Sequence, residues 1–273
     1  MSRTSILCFA VALIAQGTFA LQNGQRIING GNATVGQFSF QAFLQMRYSR
    51  VCVGSLISDS VILITADCLF KDLSSFNITI GAVDYNNYQA EHVEFVDLYG
   101  YSYVFHEDYD SVSGANDIAA LILKTPIKNP KIKPIRLPSK SQINNFLNRT
   151  EITILGWGGE TGRTEPNLQH ADTFTLNFRD CQFLHGSLHV TDENLCLDNT
   201  VPGSPTACHD GDNGSPMITK EEDGQYTLIG FMAKWFVGSK EVGVCNSNIP
   251  VIYMRVAAYL DWLAANTGIE IRP

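Results

Sequence analysis

Short apolar runs recur along the chain at close intervals: "SFQAFLQM", "SVILIT", "NITIGAV", "HVEFVDL", "DIAALIL", "EITILGWG", "TFTLNF", "QYTLIGFM" and "PVIYMRV". They are rich in Ile, Val, Phe, Tyr and Thr, many alternate with polar residues, and clusters of Gly, Asn, Asp and Pro separate them. Alternation with a period of two puts every second side chain on one face, so the pattern predicts an all-β fold, a sandwich or a barrel. One segment departs from it. In "VAAYLDWLAANTG", Val256, Tyr259, Leu260 and Leu263 fall on one stripe at helical spacing and Gly268 offers a stop, which predicts a short C-terminal helix.

Composition narrows this further. The chain has 273 residues, 45% of them hydrophobic, enough to bury a full core without a metal or a partner. No internal repeat or low-complexity tract interrupts it, and Gly and Pro are scattered as turns, so one compact unit is expected. Residues 1–20, "MSRTSILCFAVALIAQGTFA", place an arginine before an apolar run and end on small residues. That is the build of a cleaved secretory signal, too short to span a bilayer stably. A soluble, extracellular mature protein with no membrane span is expected.

Seven cysteines include Cys8 inside that signal, and the other six, in an exported chain, read as three disulfides whose pairing spacing alone leaves open. The formal charge of −8 argues against nucleic acid or an anionic membrane as a partner and attracts basic proteins, weakly at physiological salt. Acceptor triplets for N-glycosylation stand at Asn32, Asn77, Asn148 and Asn213.

Four landmarks come in order: "RIINGGNA" (26–33), "TADC" (65–68), "NDIAAL" (116–121) and "GDNGSP" (211–216). With "CVGSLIS", "GWG" and the "PVIYMRV" ending, the chain resembles the chymotrypsin-like serine proteases across essentially its whole mature length. The resemblance implies a single domain, residues 27–273, of two six-stranded antiparallel β-barrels divided near "NPKIKPIRLP", with the active site in the crease between them. It also implies the bridges Cys52–Cys68, Cys181–Cys196 and Cys208–Cys245, each closing a loop that adds about 2–4 kcal/mol.

The family catalyses with a Ser nucleophile, a His that takes its proton and an Asp that orients the His. Asp117 matches the orienting acid, but the base position holds Asp67 and the nucleophile position Asn213. A carboxamide has no proton to lose near neutral pH, and its nitrogen lone pair is delocalised into the carbonyl. Asp67 beside Asp117 favours a shared proton over free basicity. The implied protein is a pseudoenzyme that acts by binding an extracellular protein: a protease, an inhibitor or a protease substrate. The alternative is an atypical hydrolase with a displaced nucleophile such as Ser215, and a third reading is purely structural.

Other machinery is only partly kept. Arg26-Ile27 reads as a trypsin-type activation site behind a six-residue propeptide, "LQNGQR". The resemblance implies that the freed amine of Ile27 pairs with Asp212, so cleavage could switch the surface a partner sees. The specificity pocket maps to Thr206, Phe236 and Val251, and bulk at Phe236 and Val251 is expected to shorten or close it. Asp210 reads as an insertion there, and His209, beside Cys208, is the histidine placed nearest the crease. "YGYSYVFHEDYD" (99–110) reads as a loop near the rim: its tyrosines and acids suit protein contact, but the preferred reading is ordinary loop residues with some Tyr rings packed in the barrel. Ala82 stands where calcium-binding relatives have Glu, so no metal or other cofactor is expected. A monomer is expected.

Overall fold

The structure is a computed structural model that describes residues 27, 29–45, 51–70, 77–86, 92–96, 100–158, 166–186, 190–207, 212–233, 236–237, 240–241 and 250–273. The signal and propeptide calls, Arg26, Cys208, His209, Asp210, Cys245 and the side chain of Phe236 lie outside the described residues.

In chain order the strands are β1 (Gly31–Asn32), β2 (Gln41–Gln45), β3 (Val51–Leu56), β4 (Val61–Ile64), β5 (Asn77–Ile80), β6 (Glu94–Val96), β7 (Tyr101–Phe105) and β8 (Ala119–Leu123). There follow β9 (Glu151–Gly156), β10 (Gln169–Phe174), β11 (Asn194–Leu197), β12 (Pro216–Lys220), β13 (Tyr226–Met232), β14 (Phe236–Val237), β15 (Lys240–Glu241) and β16 (Val251–Arg255). They build two antiparallel sheets curled into half-barrels, in the orders β6-β5-β2-β3-β4-β8-β7 and β1-β10-β9-β12-β13-β16-β11, with β14 and β15 as a separate ribbon. Each sheet has seven strands where six were expected, and in the second the two-residue β1 is added at one end.

Strand placement follows the apolar runs where side chains alternate or are buried throughout. β4, "VILI", is buried at every position between β3 and β8, which explains its unbroken apolar sequence. Two expectations shift. "TFTLNF" is largely not a strand: β10 ends at Phe174, and Asn177 instead accepts a hydrogen bond from Arg179 N and caps a helix, α2 (Phe178–His185). The supposed rim loop contains β7, an edge strand with Ser102, Tyr103 and Phe105 exposed; its polar, tyrosine-rich face is that of a sheet edge.

At the C-terminus a 3-10 turn, Val256–Tyr259, leads into α3 (Leu260–Thr267); α1 (Ala66–Phe70) is described with the site. The expected stripe of Val256, Tyr259, Leu260 and Leu263 is buried, and Gly268 ends the helix in the left-handed conformation, its N–H on Ala264 O. No helix among the described residues is long and apolar enough to cross a membrane.

One hydrophobic cluster crosses the boundary between the half-barrels, joining Phe43, Ile64 and Leu121 of the first to Trp157, Leu228 and Phe231 of the second. Phe43 stacks on Tyr85 with ring centroids 4.4 Å apart and meets Trp157 edge-on at 5.2 Å. The connecting segment is pinned to both halves: Ile135 N donates to Leu56 O and Leu228 N to Arg136 O, with Ile132, Ile135 and Leu137 buried.

That connection also carries a charged strap. Arg136 Nη1 meets Asp223 Oδ2 at 2.6 Å, Arg136 Nη2 meets Glu221 Oε2 at 3.0 Å, and Arg272 Nη2 meets Glu221 Oε1 at 2.9 Å. Hydrogen bonding to Arg136 holds the Asp223 carboxyl down at about 2. Burial works against ionising Glu221, but hydrogen bonds from Arg272, Thr227 and Gln142 leave its carboxyl below the ordinary range. Both are depressed in the fold, so their contribution is complete above the ordinary carboxylate range and is lost as pH falls through the folded values. Denaturant midpoints are expected to fall from about pH 5 towards pH 2, and Glu221→Gln should cost about 1–2 kcal/mol at pH 7 and flatten that slope.

Candidate functional site

The crease is assembled from both halves. After β4, Thr65 leads into α1, where its hydroxyl meets Cys68 Sγ at 3.0 Å and the Cys52–Cys68 bridge ties the helix back to β3. This puts Asp67 in the first turn, 2% exposed. Asp117 precedes β8 and is fully buried, and its Oδ1 accepts the backbone N–H of Asp67 at 2.7 Å. Its neighbour Asn116, in the left-handed region with φ 53°, donates through Nδ2 to Asp108 O and accepts from Tyr259 Oη through Oδ1.

Asn213 arrives from the second half on a tight turn in which Ser215 N donates to Asp212 O and Gly214 N to Met232 O. Asn213 O accepts from Val53 N at 2.9 Å, so this turn also joins the halves. The Asn213 side-chain amide then donates from Nδ2 to Asp67 Oδ2 at 3.4 Å, and the Tyr109 hydroxyl donates to Asp67 Oδ1 at 3.4 Å. Both bonds are at the long limit of the range. The structure thus brings together Asp67, Asp117 and Asn213.

Tyr109 is the residue the sequence reading missed. Among the tyrosines of residues 99–110 nothing in the sequence singles it out, yet it is half-buried against Asp67 and edge-on to Phe70 at 5.8 Å. The loop doubles back through Gly114 N to Asp110 O and Asp110 N to Ala115 O, and no periodicity in the sequence announces that. Burial pushes the Tyr109 phenol well above its ordinary value, and the charges of Asp117 and Asp67 push the same way. It stays protonated and donates to Asp67.

Ser215 is fully buried and its hydroxyl donates to Asp212 Oδ1 at 3.4 Å. Asp212, also fully buried, accepts Gly158 N–H at 2.8 Å on the same oxygen. Ile27 is fully buried with its backbone nitrogen on Gln169 Oε1 at 3.1 Å. Thr206 and Val251 are buried, and Val251 packs in one cluster with Ile27, Ala207, Met232 and Tyr253. The phenol of Tyr253 is raised by burial and by the charge of Asp212.

The Cys52–Cys68 and Cys181–Cys196 bridges are formed. Asn32, Asn77 and Asn148 are exposed, while Asn213 is half-buried. Among the described residues no group of three or more His, Cys, Asp and Glu could hold a metal ion.

The trypsin family model matches residues 27–263. A collagenase from Hypoderma lineatum is 30% identical over 275 residues, covering 97% of this chain and 98% of that protein. A trypsin from Phaedon cochleariae is 28% identical, covering 96% and 99%. Among solved structures, HL collagenase superposes with a TM-score of 0.74 at 28% identity, over 90% of this chain and 100% of that one. Fold, landmark order and these matches agree that the chain belongs to the trypsin family.

Proposed function

We propose that the protein is an exported, catalytically inactive member of the trypsin family that acts by binding another extracellular protein, whether a protease, an inhibitor or a protease substrate. The observation that carries this reading is the crease itself. Asp67 occupies the base position and is held by the amide of Asn213 and the hydroxyl of Tyr109. Among the described residues no imidazole stands in that arrangement, the Tyr109 phenol there stays protonated, and an amide nitrogen already acting as a donor cannot attack a carbonyl.

A binding role is supported by what rims the crease. Phe70 is 56% exposed and Val112 79%, with Glu107, Asp108 and Asp110 exposed around Tyr109. Exposed apolar anchors among acids suit a basic protein surface. Glycosylation at the exposed Asn32, Asn77 and Asn148 is compatible with this reading.

The rival hydrolase needs Ser215 as nucleophile. Its hydroxyl is buried and points its proton at Asp212, whose carboxylate lies under Gly158. Intact-mass analysis after treatment with an organophosphorus or sulfonyl fluoride reagent is expected to show no adduct on protein that starts at Ile27. A stoichiometric adduct that disappears in Ser215→Ala would replace the binding reading with the hydrolase.

A further inference from the structure

We propose that Asn148, and not Asn213, carries an N-linked glycan, and that this glycan lies along the outer face of α2 and covers the apolar residues exposed there. This rests on export, the first part of the reading above, and not on the loss of catalysis. Both residues head acceptor triplets, and the structure separates them. Asn213 is half-buried, its amide nitrogen donates to Asp67 Oδ2, and the hydroxyl of its triplet, on Ser215, is fully buried. Asn148 is exposed and is bonded through Oδ1, which accepts Phe178 N–H at 3.0 Å and leaves the nitrogen for the sugar.

The turn that presents Asn148 is braced on both sides. Leu147 and Arg149 hold φ of 47° and 51°, and Leu147 N donates to Asn145 Oδ1 at 3.0 Å. Thr150 N donates to Thr175 Oγ1 at 2.9 Å, Thr175 N donates to Thr150 O at 3.0 Å, and the Thr175 hydroxyl donates to Leu147 O. Asn148 is thereby fixed beside the start of α2, where it and Asn177 each take one of the first free N–H groups of the helix.

The linkage sets the direction of the sugar. Glycosylation turns the primary amide into a secondary one and leaves Oδ1 an acceptor, so the bond to Phe178 N–H is kept. A secondary amide is planar and trans, which puts the first carbon of the sugar on the same side as Oδ1, toward the first turn of α2. There Phe178 pairs with Phe146 at 4.9 Å between ring centroids, a half-buried aromatic surface whose electron-rich faces attract the C–H groups of a pyranose.

The far side of α2 needs a cover. Cys181 and His185 are buried, whereas Phe183 is 87% exposed and Leu184 48%, and Phe174, which ends the strand before the helix, is 53% exposed. Phe183 lies five positions beyond Phe178, about 8 Å along the helix, within reach of an N-glycan core. Exposed apolar patches invite association, and a neutral, strongly hydrated oligosaccharide tethered at the head of the helix screens this one.

Site-specific glycopeptide mass spectrometry of protein secreted by eukaryotic cells is expected to find Asn148 occupied in most molecules and Asn213 bare. Thr150→Val removes the acceptor triplet but keeps Asn148 and its bond to Phe178. Hydroxyl-radical labelling of Phe183 and Leu184 should rise about two-fold or more in that variant, since labelling follows exposed area. Should the variant fail to fold, enzymatic removal of the glycan from the native wild type makes the same comparison. Secreted protein that lacks residues 1–20 yet leaves Asn148 bare, or carries a glycan at Asn213, overturns the assignment, and equal labelling with and without the glycan overturns the cover. A chain kept inside the cell with residues 1–20 attached would overturn export itself, and the glycan with it.

Discussion

Protein that begins at Ile27 is expected to hydrolyse peptide and activated-ester substrates about 10⁶-fold more slowly than a family member with Ser, His and Asp in place, close to the loss measured when Ser or His is removed from such a triad. Asn213→Ser alone should change little, because the hydroxyl it adds would face the carboxylate of Asp67, held next to Asp117 and Tyr109. The double change Asp67→His and Asn213→Ser is the informative one.

Asp117 Oδ1 already accepts the backbone N–H of residue 67, so the orienting acid is in position for an imidazole. With an activated ester, which makes small demands on the specificity pocket, the double variant should exceed the wild type by at least about 10²-fold. Stopped assays with each single variant separate the two contributions. Wild-type turnover within about 10³-fold of an intact enzyme, abolished by Asp67→Asn or Ser215→Ala, would mean that the crease performs chemistry assigned here to no residue.

Replacing Gly214 by Ala should be the most destabilising added methyl among the described glycines. Gly214 has φ 89°, which costs a non-glycine residue about 1–2 kcal/mol, and an added Cβ would run into the backbone carbonyl oxygen of Val53. That carbonyl belongs to β3, where Val53 N also donates to Asn213 O, so the methyl cannot be relieved without parting the two halves at their hydrogen-bonded contact.

A loss of about 4 kcal/mol or more, or failure to fold, is expected by denaturant unfolding. Gly268→Ala is the control. Its φ is 73° but a Cβ there meets nothing within 4 Å, so only the conformational cost of about 1–2 kcal/mol should appear. Similar losses at both glycines would show that the contact with Val53 adds nothing.

Much of the molecule was legible as local pattern. The runs that became β2, β4, β5, β8, β9, β13 and β16 are apolar because their side chains enter a shared core, and the stripe through Val256, Tyr259, Leu260 and Leu263 lies at helical spacing because one face of the chain's end packs inward. Failures came where a local preference lost to a contact from elsewhere. Asn177 caps α2 instead of extending a strand, and Tyr101–Phe105 is an edge strand despite its loop-like composition, since pairing with β8 supplies what the sequence pattern lacks.

Residue identity by itself determined the chemistry available: a carboxylate at 67, a carboxamide at 213 and an acid at 117, with cysteines whose pairing the spacing alone leaves open. Only the tertiary structure decided how those groups are occupied. Tyr109 reaches Asp67 from 42 positions away and Gln169 reaches Ile27 from 142. Hydrogen bonds act over about 3 Å, whatever the separation along the chain, so such partners are chosen by how the sheets curl and pack and leave no trace in local periodicity.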